Sequence, residues 1–290
     1  PAHNADNQPD VSTDDRDEAE EIARQIAREL EKTQQRPQPD GTLDAPFSRE
    51  ELDAALEKTP NYKAMGRDGV KGEFLRYLGD EARDCLLAYY NLIYAHQKSP
   101  TQWRKDVAWP IHKSGDKRSP GNYRLITLMS NMCKVFERMI HTRLVNWCNK
   151  QTEHPIDCNQ VGFQENLCTL DNIYTLTETV RLRATAKCPT YVCFVDVKKA
   201  FPSVFKAGLL YKLHQMGVNG RYWRMISNMY EKIKTRILTG NDDNEMDSEE
   251  KESLYYDIDT GVREGSILSP LLYILFIDGL LAKLRKSGLG

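Results

Sequence analysis

Residues 189–204 read PTYVCFVDVKKAFPSV. From Thr190 to Val197 the run is almost wholly apolar and is bounded in front by Pro189, the pattern of a strand buried on both faces. It carries Asp196, the one acid between Glu178 and Glu231. A carboxylate left at the end of a buried strand is costly unless it is paired or holds a metal. Two readings follow. Asp196 forms an ion pair with Lys198 or Lys199, or it begins a Mg²⁺ site, which needs one or two carboxylates together with phosphate oxygens.

The flanking sequence alternates helical and strand periods. Ser48 with Glu51 forms a capping box, and Phe47 with Leu52 a hydrophobic staple, so a helix opens at Ser48 and ends before Pro60. A glycine-rich turn, MGRDGVKG (65–72), leads into helical sequence to about Gln97, with Leu86, Leu87, Tyr90, Ile93 and Tyr94 on one side. Lys105 to Ile111 and Tyr123 to Leu128 read as strands joined by the basic loop HKSGDKRSPGN (112–122). Ser130 can cap a long helix with the stripe Val135, Phe136, Met139, Ile140, Leu144. Further helices are expected over Leu170–Ala184, 204–216 and 220–231. KIKTRIL (232–238) and LYYDID (254–259) alternate in period two, which suggests a hairpin around a long acidic loop. An apolar helix runs from Ser269 to near Gly288. Strands interleaved with helices make this an α+β or mixed α/β chain.

The 290 residues are 40% apolar and 28% charged, enough for a substantial core. The longest apolar run, Leu271 to Ile277, is far below the ~20 residues of a membrane span, and residues 1–10 lack the basic and apolar regions of a secretion signal. Seven cysteines without a CxxC pair read as reduced thiols of an intracellular protein. A net charge of -2 conceals segregation: residues 1–60 carry 7 Lys/Arg against 16 Asp/Glu, and residues 241–260 carry 1 against 9. The remainder carries 32 against 17, a net of +15, which fits a polyanion partner. An ordinary solvated surface would also account for it.

Five blocks appear in order: KAMGRDGVKGEFL (63–75), VAWPIHKSGDKRSPGNYRLITL (107–128), NQVGFQENLCTLDNI (159–173), FVDVKKAFPSV (194–204) and GVREGSILSPLLYILFIDGL (261–280). This series resembles the reverse transcriptases of non-LTR (LINE-like) retrotransposons, over about residues 46–290. The resemblance implies a right-hand polymerase fold of α+β class, present here as fingers plus an incomplete palm with the thumb absent. It implies an RNA-directed DNA polymerase acting with an RNA template, a DNA primer, dNTPs and two Mg²⁺ ions, and a nuclear location. It divides the chain into an acidic tail or linker (1–45), a fingers-like region (46–189) and a partial palm (190–290) with an acidic loop at 241–252.

Residue by residue, the resemblance makes Asp196 the first metal carboxylate, helped by the carbonyl of Val197. Phe201 matches the aromatic that excludes a ribose 2′-hydroxyl. Lys113 and Arg124 match residues that grip the triphosphate, a mobile point charge and a bidentate fork. Gly162 and Phe163 fall in the block that approaches the template. Glu264 and Gly265 fall in the motif beneath the forming base pair, where glycine lets the backbone come close, and Ser269 and Pro270 would open the following helix.

The chain departs from the family where Glu264 replaces Gln, Pro202 replaces Asp, Leu125 replaces Pro and Gln164 replaces Arg. No [FY]xDD occurs, and the only Asp-Asp pairs, Asp14–Asp15 and Asp242–Asp243, lie in acidic tracts. The chain is therefore expected to stop before its second catalytic motif and to be inactive as it stands. A degenerate module that binds RNA without catalysis is the alternative, and a protein-binding scaffold with an acidic tail is a third.

Overall fold

The computed structural model describes residues 41–151, 156–238 and 254–288, together with scattered positions among 17–28. Most of residues 1–40 and the acidic stretch 241–252 lie outside the described residues. Those described among 17–28 are helical, and Ile22 is exposed there.

The Ser48 capping box forms as expected and opens α1 (Arg49–Glu57): Ser48 Oγ accepts from the Glu51 amide and Glu51 accepts in return from Ser48 N. Next come α2 (Gly72–Arg76) and α3 (Asp80–His96). The hairpin of β1 (Lys105–His112) and β2 (Tyr123–Leu128) leads to α4 (Asn131–Lys150), which Ser130 caps through the Cys133 amide. After α5 (Thr169–Thr185) come α6 (Lys206–Gln215), α7 (Gly220–Tyr230), β3 (Ile233–Ile237) and β4 (Tyr256–Ile258). The expected apolar helix is two successive helices, α8 (Ser269–Ile277) and α9 (Gly279–Lys286), meeting at Asp278.

The strands make one mixed sheet in the order β2-β1-β3-β4. β1 pairs antiparallel with β2, from Val107 opposite Leu128 to His112 opposite Tyr123, and parallel with β3, with Lys105 opposite Lys234. β3 and β4 pair antiparallel, so the expected period-two hairpin forms. The chain is thus mixed α/β.

The core gathers where the apolar stripes of α1, α3, α4 and α7 meet. Leu52, Tyr90, Phe136, Ile140, Leu144, Tyr222 and Ile226 have no accessible surface. Phe136 is its centre, with ring centroids of Phe47, Tyr90 and Trp103 at 5.4–5.7 Å. Each such aromatic pair adds about 0.5–1.5 kcal/mol beyond area burial. The buried phenols are satisfied: Tyr90 donates to the Met132 carbonyl, Tyr94 to Leu43 and Tyr222 to Ile140.

Two expectations need correction. The boundary of the tail at residue 45 lies too late, because Leu43 is buried in the core and Asp44 accepts from the Tyr222 amide. The apolar run at 190–197 is not a strand: it is irregular and exposed, with Tyr191 at 93% and Phe194 at 83% accessibility. A strand needs neighbours to take its backbone hydrogen bonds, and among the described residues none of the four strands pairs with it. α5, just before it, buries no residue.

Arg143 of α4 ties the early segment down. It forks onto Glu51, donates to the carbonyls of Leu43, Ala45 and Pro46, and stacks 4.0 Å from the Phe47 ring centroid. Lysine cannot reproduce that fork. Arg143→Ala is expected to cost about 2–4 kcal/mol, because it strips partners from a largely buried network. A urea unfolding midpoint, compared with that of Arg143→Lys, measures this.

Candidate nucleotide site

The site is built around the neck of the β1–β2 hairpin. Lys113 N donates to the Asn122 carbonyl at 2.8 Å and closes the loop. Ile111 stands opposite Arg124 in the register, so alternation puts Lys113 and Arg124 on one face and His112 with Tyr123 on the other. The His112 and Tyr123 rings pack together at 5.3 Å. Both cations are exposed.

They line a cavity of about 350 Å³, whose other walls include Thr127, Lys199, Tyr256 and Glu264. The structure thus brings together three expected nucleotide-binding residues, Lys113, Arg124 and Glu264. Phe201 is not among the lining residues. Its ring packs between Phe163 at 5.9 Å and Tyr273 at 5.4 Å, so one expected nucleotide contact and one expected template contact touch each other. Gly162 is exposed nearby.

The turn that carries Phe201 is fixed to the 261–269 segment. Val262 N donates to the Phe201 carbonyl and Gly261 N to that of Val204. Lys199, at φ 53°, holds a left-handed conformation unusual for a residue with a side chain. It lines the cavity; the sequence had suggested it only as an ion-pair partner for Asp196.

Gly265 makes a close approach to β2. At φ 86°, a Cβ on it would lie 2.7 Å from the Thr127 carbonyl oxygen of β2. Arg263, the cation next to Glu264 in the sequence, does not screen it. Arg263 turns inward, donating through Nε and Nη2 to both Asp106 oxygens at 2.9 and 2.6 Å and to the Trp103 carbonyl. Burial alone would depress this guanidinium, but Asp106 more than offsets it and holds the group above its ordinary value. Ser269 begins α8 and Pro270 follows it, so proline takes the second helical position. Ser266 Oγ accepts from the Leu268 and Ser269 amides there.

Asp196 and Val197 lie exposed in the irregular segment. Among the described residues no group of three or more His, Cys, Asp or Glu side chains is gathered in metal-binding fashion. The donors present are too few for a two-ion site. The described cysteines are all free thiols, with Cys133 and Cys148 buried.

A family model described as reverse transcriptase (RNA-dependent DNA polymerase) matches residues 111–288, more than half of the chain, and includes Lys113, Arg124, Lys199 and Glu264. The chain belongs to the reverse transcriptase family. It is 28% identical over 232 residues to a probable RNA-directed DNA polymerase from transposon X-element of Drosophila melanogaster, covering 80% of this chain and 24% of that protein. It is 27% identical over 258 residues to the RNA-directed DNA polymerase from mobile element jockey of the same fly, covering 89% and 26%. It is also 27% identical over 247 residues to a Pol polyprotein from the type-1 retrotransposable element R2 of Popillia japonica, covering 84% and 32%. The chain spans about a quarter to a third of the length of these relatives. No described helix is long and apolar enough to cross a membrane.

Glu137 gives the fold a pH signature. The carboxyl is fully buried in α4, and burial raises it above the ordinary 4.5 against the opposing influence of Arg263, the Ile267 amide and Ser266. A raised acid stabilises the fold below its ordinary value and loses that contribution as pH rises through the raised one. Urea midpoints of the unaltered protein are therefore expected to fall relative to Glu137→Gln as pH rises from 4.5. Parallel pH profiles would contradict this.

Proposed function

We propose that this chain is the nucleotide-gripping part of the RNA-directed DNA polymerase of a non-LTR-type retroelement, comprising fingers and part of a palm. The observation that carries the reading is the shared cavity of Lys113, Arg124, Lys199 and Glu264 at the hairpin neck. With Arg263 engaged by Asp106, Lys113, Arg124 and Lys199 share the cavity with Glu264, a charge set suited to a triphosphate. Phe201 adjoins this wall through the 201–262 backbone bond, where an aromatic can restrict the sugar. Gly162 and Phe163 lie on its template side.

In this reading the chain's residues bind and orient the nucleotide: Lys113 and Arg124 hold phosphate oxygens, and Gly265 sets the floor. The full reaction joins a dNTP to a primer 3′-hydroxyl on an RNA template. It requires further metal carboxylates besides Asp196, and a thumb, supplied by other parts of a longer protein. The chain alone is accordingly inactive. The length of the curated relatives supports this division.

RNA-templated primer extension on the longer protein tests it. Asp196→Asn is expected to abolish extension, and Lys113→Ala to raise the dNTP KM with a smaller effect on kcat. Full activity of Asp196→Asn overturns the reading. Glu264 opposes the triphosphate, so Glu264→Gln should tighten dNTP binding by roughly threefold to tenfold, the effect of one charge near a protein surface. Titration of the 290-residue chain with dATP reads this out.

A further inference from the structure

The helix α4 carries one residue that its packing does not explain. Glu137 has no accessible surface and sits among Cys133, Phe136 and Ile140 on the buried side. An apolar residue of similar volume would fill that position without the cost of burying a carboxylate. The carboxylate instead reaches the 261–269 segment, where Oε2 accepts from Ser266 Oγ at 2.9 Å and from the Ile267 amide at 2.8 Å. Ser266 Oγ in turn accepts from the amides that open α8, and Tyr230 of α7 bonds Ser269 Oγ at 2.9 Å.

The opposite end of the segment is fixed by Arg263 on Asp106 of β1 and on the Trp103 carbonyl. Glu264 and Gly265 therefore span two buried anchors. Gly265 rests against Thr127 of β2, three residues beyond Arg124. Whether the Glu264–Gly265 wall faces the Lys113–Arg124 neck at the right spacing depends on those anchors holding.

We infer that Glu137 is a positioning residue for the nucleotide cavity: from inside α4 it fixes Ser266 and Ile267, and thereby sets the Glu264–Gly265 wall against the β1–β2 hairpin. The inference rests on reading that cavity as a nucleotide site. Glu137 touches no substrate. It acts by pre-ordering a wall that the ligand would otherwise have to order on binding.

Two substitutions separate this role from simple packing. Glu137→Leu fills the space and removes the acceptor, whereas Glu137→Gln keeps a carbonyl oxygen for Ser266 and Ile267. On the 290-residue chain, Glu137→Leu is expected to weaken dATP binding in metal-free buffer by roughly fivefold or more. Amide exchange should speed up at 266–268 while the melting temperature holds or rises, and Glu137→Gln should restore both affinity and protection. Faster exchange throughout, including α3, with a lowered melting temperature would show a merely structural role and overturn the inference. No dATP binding by the unaltered chain overturns the nucleotide reading. Binding that Lys113→Ala abolishes and Glu137→Leu leaves intact overturns the role of Glu137 alone.

Discussion

The Arg263 guanidinium lies between both oxygens of Asp106 and the carbonyl of Trp103, and each side chain of the pair is 3% accessible. Such a pair gains little over well-packed apolar residues, but losing either partner leaves a charge stranded in the interior. Its value is therefore geometric. It couples a strand near residue 106 to a segment more than 150 positions later, where no local signal could set the distance between them. The parallel pairing of β1 with β3 ties the same strand, through backbone, to residues 234–237. A side-chain and a main-chain coupling thus both hold β1, and the hairpin that carries Lys113 and Arg124 inherits its orientation from them.

The molecule is unevenly consolidated. The half built on α1, α3, α4 and α7 has continuous aromatic contacts, satisfied phenols and Arg143 holding the chain's early turn. The flank from Phe163 to Val197 has an exposed helix and an unpaired apolar run. Low burial and absent ladder bonds give a segment low local stability. The β1–β2 hairpin, with Lys113 and Arg124, is tied into the consolidated part through Asp106, whereas the candidate metal carboxylate, Asp196, stands on the exposed flank.

Local elements were legible in the sequence where one interaction decides them. The Ser48–Glu51 box and the Ser130 cap each need only neighbouring residues, and the stripe from Val135 to Leu144 needs only a helical period. The β1–β2 hairpin and the β3–β4 pairing were legible for the same reason, as was membership of the polymerase family from five ordered blocks. The run at 190–197 misled because an apolar pattern reports what a segment could bury, not whether a partner strand is at hand. Asp106 and Glu137 were passed over although each carried a signal. One is an acid opening an apolar strand and the other an acid inside an apolar helical stripe. Lys199 was read as a partner for Asp196, whereas it lines the cavity with Lys113 and Arg124, which only the fold reveals.

The exposed run from Tyr191 to Val195 also bears on self-association. Five consecutive uncharged residues rich in β-branched and aromatic side chains match the sequence signature of cross-β assembly. Pro189 stands before them, and Asp196, Lys198 and Lys199 follow at once. A proline and a cluster of charges at the two ends of such a run act as gatekeepers against self-association. Stacking copies of Tyr191–Val195 in register would bring Lys198 and Lys199 of one copy against those of the next, and that like-charge repulsion opposes the stack.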